Sequence, residues 1–246
     1  MTGDSGGCGA QAVFLRRTCS VFRQIQPDLY AVEQPFQFIG LEMGARLTVV
    51  RRANGALWIY APFAVTREEE AAIRAVGQVA DIVVPNTVHT TQVADFARLF
   101  PGATVWALPE ATVKLRGLTF QKLETMPVAW EADFAAVLFD GAMGVREWVF
   151  FHRASKTLLL TDLAFHLPRP KTPVARIVAR LDDVGRGFGP SRLERMLVRL
   201  GNRKRARAQL DAVLKWPFKR IVSAHGAVVK RGARRKLRLA FRFVSR

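Results

Sequence analysis

The stretch Val79–Pro109 constrains the fold more than any other part of the chain, because it predicts a complete β-α-β unit. Ile82–Val84 is a short apolar run of the kind found in a strand that is covered on both faces. Apolar residues then recur at helical spacing over residues 93–100, and Thr104–Ala107 begins a second strand. This pattern indicates an α/β protein, in which ligands usually bind at the carboxyl ends of the strands.

The loop that joins the first of these strands to its helix has the sequence PNTVHTT, Pro85–Thr91. It contains Asn86 and His89, and His89 is one of only four histidines in the protein. Thr90 or Thr91 is expected to cap the helix, because a threonine hydroxyl can accept a hydrogen bond from a free amide of the first turn. The loop is therefore a first candidate for a functional site.

Polar residues also follow two later strands. The predicted hairpin of Glu147–Phe151 and Thr157–Leu160 runs into Asp162, and the predicted strand Arg220–Ser223 runs into His225. Together with the loop after residue 84, three strands are thus expected to end in side chains that can bind a ligand.

Other local patterns place further elements. An Asn54-Gly55 pair between two β-like runs predicts a hairpin. Capping boxes at Thr66 and Ser191 predict the starts of two helices. A strand is expected at Ala135–Phe139, ending at the Asp-Gly pair that follows it. The strands expected before the β-α-β unit are Leu29–Val32, Leu47–Val50 and Leu57–Tyr60.

Composition sets broader limits. Residues 1–24 are Gly-rich and then mixed in composition, so we expect a loosely ordered segment there. Half of the 246 residues are hydrophobic, which is enough for a sizeable core in a single domain at residues 25–246. No apolar run approaches the roughly 18 residues of a membrane-spanning helix, and the first residues do not have the pattern of a secretory signal. Cys8 and Cys19 match no metal or redox spacing, which is typical of a reducing, cytoplasmic location.

Charge is distributed unevenly along the chain. Residues 1–170 hold 16 basic and 16 acidic side chains, whereas residues 171–246 hold 22 basic and 4 acidic ones, so the basic C-terminal third carries the whole net charge of +18. Such a segment favours a polyanionic partner, either nucleic acid or an anionic membrane surface. On the predicted helix after Ser191, four arginines at helical spacing would form a ridge beside an apolar face. They are Arg192, Arg195, Arg199 and Arg203.

Four short motifs, in this order, resemble the metallo-β-lactamase superfamily and, within it, domain-of-unknown-function family 4336. They are RLTVVR at Arg46–Arg51, PNTVH at Pro85–His89, FFHRASKTLLLTDLAF at Phe150–Phe165 and SAHG at Ser223–Gly226. The resemblance covers roughly residues 25–240. It implies an αββα sandwich of two mixed sheets flanked by helices, with a metal site at the sheet edges.

The chain departs from the superfamily's zinc motif, His-x-His-x-Asp-His. The four ligand positions of that motif fall on Asn86, Val88, Thr90 and Thr91. Valine cannot coordinate a metal and threonine is a poor zinc ligand, whereas zinc takes about four N, O or S ligands. The resemblance therefore predicts no conventional two-zinc site.

One alternative is a reduced site at the strand ends, with Asn86, His89, Asp162 and His225 around one divalent ion, zinc, iron or manganese, and His166 nearby. Absence of any metal is the equal alternative. In the first hypothesis, Asp162 and His225 are catalytic residues of a hydrolase acting on an unknown small ester, thioester or phosphoester. In the second, the protein is a non-catalytic binder of nucleic acid or an anionic membrane through its basic C-terminal third.

Overall fold

A computed structural model describes residues 21–244. The strands are β1 (Val21–Gln26), β2 (Leu29–Gln34), β3 (Gln37–Phe38), β4 (Leu41–Glu42), β5 (Ala45–Arg51), β6 (Leu57–Tyr60), β7 (Val79–Val84), β8 (Thr104–Ala107), β9 (Gln121–Lys122), β10 (Phe134–Ala142), β11 (Val145–His152), β12 (Thr157–Leu160) and β13 (Arg220–Ser223). The helices are α1 (Arg67–Val76), α2 (Val93–Leu99), α3 (Pro173–Asp182), α4 (Arg192–Leu200), α5 (Arg203–Lys215) and α6 (Ala233–Ala240). None of the helices within residues 21–244 is long and apolar enough to cross a bilayer.

Two mixed sheets form the centre of the protein. The first has seven strands in the order β1-β2-β5-β6-β7-β8-β9, and the second has four in the order β10-β11-β12-β13. In each sheet, antiparallel pairs give way to parallel ones, at β6-β7 in the first and at β12-β13 in the second. The hairpin β3-β4 lies outside both sheets.

The core lies in three layers. Aromatic and aliphatic side chains from both sheets meet between them, with the ring of Trp58 in the first sheet 4.9 Å from that of Phe150 in the second. Ile73 of α1 and Phe96 of α2 cover the outer face of the first sheet. Leu210 of α5, with residues of α4 and α6, covers the outer face of the second. The expected αββα sandwich of two mixed sheets flanked by helices is therefore confirmed.

The β-α-β unit forms as expected, as β7, α2 and β8. The expected cap is wrong, because α2 begins after Gln92 and no side chain caps it. The side-chain oxygen of Asn86 instead accepts hydrogen bonds from the backbone N–H groups of Val88 and His89, both at 2.9 Å. That turn satisfies the amides ahead of the helix, and Thr90 becomes a buried turn residue.

The structure differs from the expected boundaries at two further strands, β10 and β1. Strand β10 runs through Gly141 to residue 142 instead of ending there. A Cβ atom at Gly141 would lie 2.4 Å from the backbone nitrogen of Ala206, so this glycine allows α5 to pack closely against the strand and does not make a turn. At the N-terminus, β1 begins at residue 21, within the segment expected to be loose. Cys8 and Cys19 lie outside the described residues.

The loops after β7, β12 and β13 meet at one edge of the two sheets. Leu160 at the end of β12 pairs in register with Ser223 at the end of β13, so the residues after both strands emerge side by side. Across the sandwich, Asn86 forms a β-bridge with Glu147 of β11, and the N–H of Trp148 donates to the Pro85 carbonyl at 2.9 Å. These bonds bring the loop after β7 next to the ends of β12 and β13.

Candidate metal centre

Three donor side chains converge at this edge. His89 Nε2 lies 3.2 Å from Asp162 Oδ2, and His225 Nε2 lies 3.5 Å from Asp162 Oδ1. One ligand atom from each of the three lies within 4.8 Å of the others. The expectation that the three strand ends bring these residues into one cleft is met, whereas their roles stay a prediction.

His89 has an unusual environment. Its Nε2 is buried and is close enough to Asp162 for an ion pair, but the geometry is not that of a hydrogen bond. The Asp162 carboxylate is therefore its electrostatic partner, although the angle is poor for a hydrogen bond. A buried imidazole nitrogen that faces a carboxylate and a second imidazole fits a metal ligand.

His225 is held in one orientation. Its Nδ1 lies 2.6 Å from the carbonyl oxygen of Gly44, so Nδ1 carries the proton and Nε2 is left with a free lone pair toward Asp162. Such a backbone contact is the usual way in which a protein orients a ligating histidine. Phe36 stacks on the imidazole, with ring centroids 5.7 Å apart.

Asn86 anchors the carboxylate. Its side-chain NH₂ donates to Asp162 Oδ2 at 2.7 Å and to Thr161 Oγ1 at 3.0 Å. Its side-chain oxygen, which was expected to be a tentative ligand, already accepts the two backbone bonds of its own turn. Its contacts therefore give Asn86 the role of a positioning residue.

Glu147 and Arg46, both buried, support the site but were not identified from the sequence. The carboxylate of Glu147 accepts from the backbone N–H groups of residues 161, 162 and 163 at 2.6, 2.8 and 3.0 Å, which fixes the loop that carries Asp162. The guanidinium of Arg46 donates to the carbonyl oxygen of Gly226 at 2.6 Å and to that of Ser223, which fixes the loop that carries His225.

Charges within the site perturb one another. Burial lowers the pKa of His89, but the Asp162 carboxylate outweighs it, so the pKa lies above its ordinary 6.5. Burial also raises the pKa of Asp162, and the neighbouring His89 outweighs it, so that pKa lies below 3.8. Burial lowers the pKa of His225. Burial and the charge of Asp162 raise the pKa of Glu147 to about 7.

Val88, Thr90 and His166 lie outside the donor cluster found among residues 21–244. The Val88 side chain is 66% exposed and apolar, and Thr90 is buried. His166 is absent from the donor cluster found among residues 21–244, and instead lines a neighbouring cleft of about 710 Å³ together with Phe36 and Met43. Among residues 21–244, the donor cluster consists of His89, Asp162 and His225.

Solved structures of metallo-β-lactamases share this architecture. The lactamase TMB-1 superposes with a TM-score of 0.61 at 13% identity, covering 92% of this chain and 99% of that one. FIM-1 from Pseudomonas aeruginosa, in its mono-zinc form, gives 0.57 at 11% identity, covering 92% and 95%. The flavodiiron core of Flv1 from Synechocystis sp. PCC6803 gives 0.62 at 10% identity, covering 92% of this chain and 61% of that one.

The fold is therefore the metallo-β-lactamase fold. A search of the curated proteins gives no significant match. The family model described as Domain of unknown function (DUF4336) matches residues 26–191, and the chain belongs to that family.

Proposed function

We propose that the protein is a metal-dependent hydrolase that uses one divalent ion, held by His89, Asp162 and His225. The convergence of three donors carries this proposal, because one ligand atom each of His89, Asp162 and His225 lies within 4.8 Å of the others. Two imidazoles and one carboxylate form a donor set that catalytic zinc sites use, with the fourth position open. Iron and manganese accept the same donors.

The proposal limits the site to one ion. A second ion would need donors where the chain has Val88, Thr90 and Thr91, and none of these types is a good ligand. FIM-1 shows that the fold holds a single zinc in at least one protein. When bound to His89, Asp162 and His225, such an ion would act as a Lewis acid and would make a water-derived nucleophile accessible at neutral pH.

Side chains of the protein orient the three donors and set their protonation states. Asp162, held by Asn86, keeps its carboxylate ionised and directed at both imidazoles. Burial lowers the pKa of His225 and favours its neutral form, in which the Nδ1–H donates to Gly44 and Nε2 is unprotonated. A cleft of about 710 Å³ borders the loop that carries His225, through Ala224 and Gly226, and we assign to it the binding of a small ester, thioester or phosphoester.

Elemental analysis of protein purified without chelator tests the proposal. We expect about one equivalent of metal per chain, lost in the variants His89→Ala and Asp162→Ala. His166→Ala is the matched control, since it removes a neighbouring imidazole outside the cluster, and should retain the metal. Wild type without metal after zinc addition, or equal metal content in His89→Ala and wild type, would contradict the proposal.

Activity is measured next on ester, thioester and phosphoester substrates, with and without a chelator. We expect hydrolysis of one class that the chelator abolishes and that added divalent ion restores. Metal binding with no hydrolysis of any class would leave the centre intact but contradict the hydrolase assignment.

A further inference from the structure

Helices α3 and α4 turn their large apolar side chains outward. In α3 the buried side chains are only Ala175 and Ala179, and in α4 only Val198. Six of the fourteen exposed large apolar side chains in residues 21–244 lie on these two helices, at 47–65% exposure. They are Val174, Ile177, Leu181, Leu193, Met196 and Leu200.

Both helices repeat one pattern. An apolar residue recurs at positions 0, 3 and 7, counted from Val174 in α3 and from Leu193 in α4, and an arginine stands at positions 2 and 6. At 3.6 residues per turn, the three apolar side chains form one stripe and the arginines form the stripe beside it. A water-facing helix normally exposes its polar side, so this arrangement needs a partner for the apolar stripe.

The two stripes lie on neighbouring helices. The N–H of Leu193, in the first turn of α4, donates to Asp182 Oδ1 at the end of α3 at 3.1 Å. Arg195 pairs with Asp183 at 2.7 Å, which neutralises one of the few carboxylates of this region. No carboxylate of the described chain pairs with Arg180, Arg192 or Arg199.

A strongly basic cleft borders α4. Its volume is about 930 Å³, and Asp183 is the one acidic side chain in its lining. The expected ridge of four arginines on one helix is wrong, because α4 ends at Leu200 and Arg203 begins α5. All four nevertheless line this cleft. Its further cations are Arg186, Lys236 and Arg242.

We infer that the outer faces of α3 and α4, with the adjoining basic cleft, bind the surface of an anionic lipid bilayer. The apolar stripes enter the boundary between headgroups and acyl chains, and the arginines contact lipid phosphates and carboxylates. Basic helices with an apolar stripe lie in this plane of a membrane. The outer faces of α3 and α4 and the adjoining basic cleft together form the α3–α4 surface.

Two other partners fit less well. A second copy of the chain would bring the same unpaired arginines together, in a C-terminal third whose net charge is +18, and like charges repel. A nucleic acid would satisfy the arginines, but its phosphates give no reason for six exposed aliphatic side chains. An anionic bilayer satisfies both stripes at once.

Co-sedimentation with vesicles tests the inference. The full chain is titrated with vesicles of phosphatidylcholine mixed with phosphatidylserine, and with vesicles of phosphatidylcholine alone. We expect binding to the first that weakens as salt rises, and little binding to the second. Ile177→Ser/Met196→Ser/Leu200→Ser should bind at least about tenfold more weakly, and Arg180→Gln/Arg192→Gln/Arg199→Gln about fivefold more weakly per arginine.

The matched control is Val113→Ser/Val128→Ser/Arg116→Gln, which changes exposed side chains outside the α3–α4 surface and should bind like wild type. Thermal melting checks that each variant is folded, as expected for exposed positions. Duplex RNA is titrated in parallel. The inference would be overturned if the wild type did not bind anionic vesicles, or if it bound RNA but not vesicles. It would also be overturned if the serine variant bound the vesicles as tightly as wild type.

Discussion

His225 Nδ1 lies 2.6 Å from the carbonyl oxygen of Gly44, which is 181 positions away in the sequence. This one contact ties the end of β13 in the second sheet to the start of β5 in the first. It also selects the tautomer in which Nε2 faces Asp162. The orientation of the imidazole therefore depends on the backbone conformation at Gly44, which has φ +64°.

Replacing Gly44 with alanine should weaken metal binding. Alanine at this positive φ costs about 1 kcal/mol and moves the carbonyl that His225 uses. Loss of such an orienting contact lowers metal affinity by about tenfold or more. Competition with a chromogenic chelator measures the metal affinity of the Gly44→Ala variant and of wild type. Gly40→Ala is the matched control, since Gly40 has φ +75° in the neighbouring hairpin and no atom within 4 Å of an added Cβ. Equal metal affinity in both variants would refute the role of Gly44.

Arg46 should be the more important of two arginines that share one carboxylate. Both Arg23 and Arg46 pair with Glu33, but Arg46 is buried and also satisfies the carbonyls of Ser223 and Gly226. Arg46→Met leaves these buried acceptors unpaired and should lower the free energy of unfolding by about 2–3 kcal/mol. Arg23→Met, at a more exposed pair, should cost under about 1 kcal/mol. Urea denaturation measures both, and similar losses would contradict this account.

His152 should make stability depend on pH. Its side chain is buried, with Nδ1 2.8 Å from Ser155 Oγ. Burial lowers its pKa below 6.5, although the charges of Asp133 and Asp28 oppose this. The unfolded chain therefore binds the proton more readily, and the stability contributed by neutral His152 is lost as pH falls from 6.5 toward the folded pKa.

Unfolding by urea between about pH 8 and about pH 5 checks this prediction. Wild type should lose stability toward acid more steeply than His152→Gln, because the variant has no group there to protonate. Parallel curves for the two proteins would show that His152 does not titrate differently in the folded and unfolded states.

The sequence predicts the parts of this structure that local patterns determine. Buried strands such as β7 and capping boxes at Thr66 and Ser191 form where expected, and each depends on residues close together in the chain. The polar strand ends are also evident, because parallel neighbours such as β12 and β13 end at the same edge.

Tertiary contacts account for what the sequence does not predict. Glu147 is the first residue of a predicted hairpin strand, and only the fold brings its carboxylate to the loop of Asp162. The amphipathic pattern of α4 indicates an apolar stripe but not whether the stripe is buried, and here Met196 faces outward. From the sequence, Arg46 likewise has no sign of a supporting role, because its contacts with the end of β13 exist only in the folded protein.

Anomalous diffraction from zinc-soaked crystals tests the central claim most directly. We predict one zinc peak at bonding distance, about 2.0–2.2 Å, from His89 Nε2, His225 Nε2 and a carboxylate oxygen of Asp162. Asn86 should keep its hydrogen bond to Asp162 and contribute no ligand atom. Two zinc peaks in this cleft, or a zinc ion bound elsewhere while these three side chains stay free, would contradict the account.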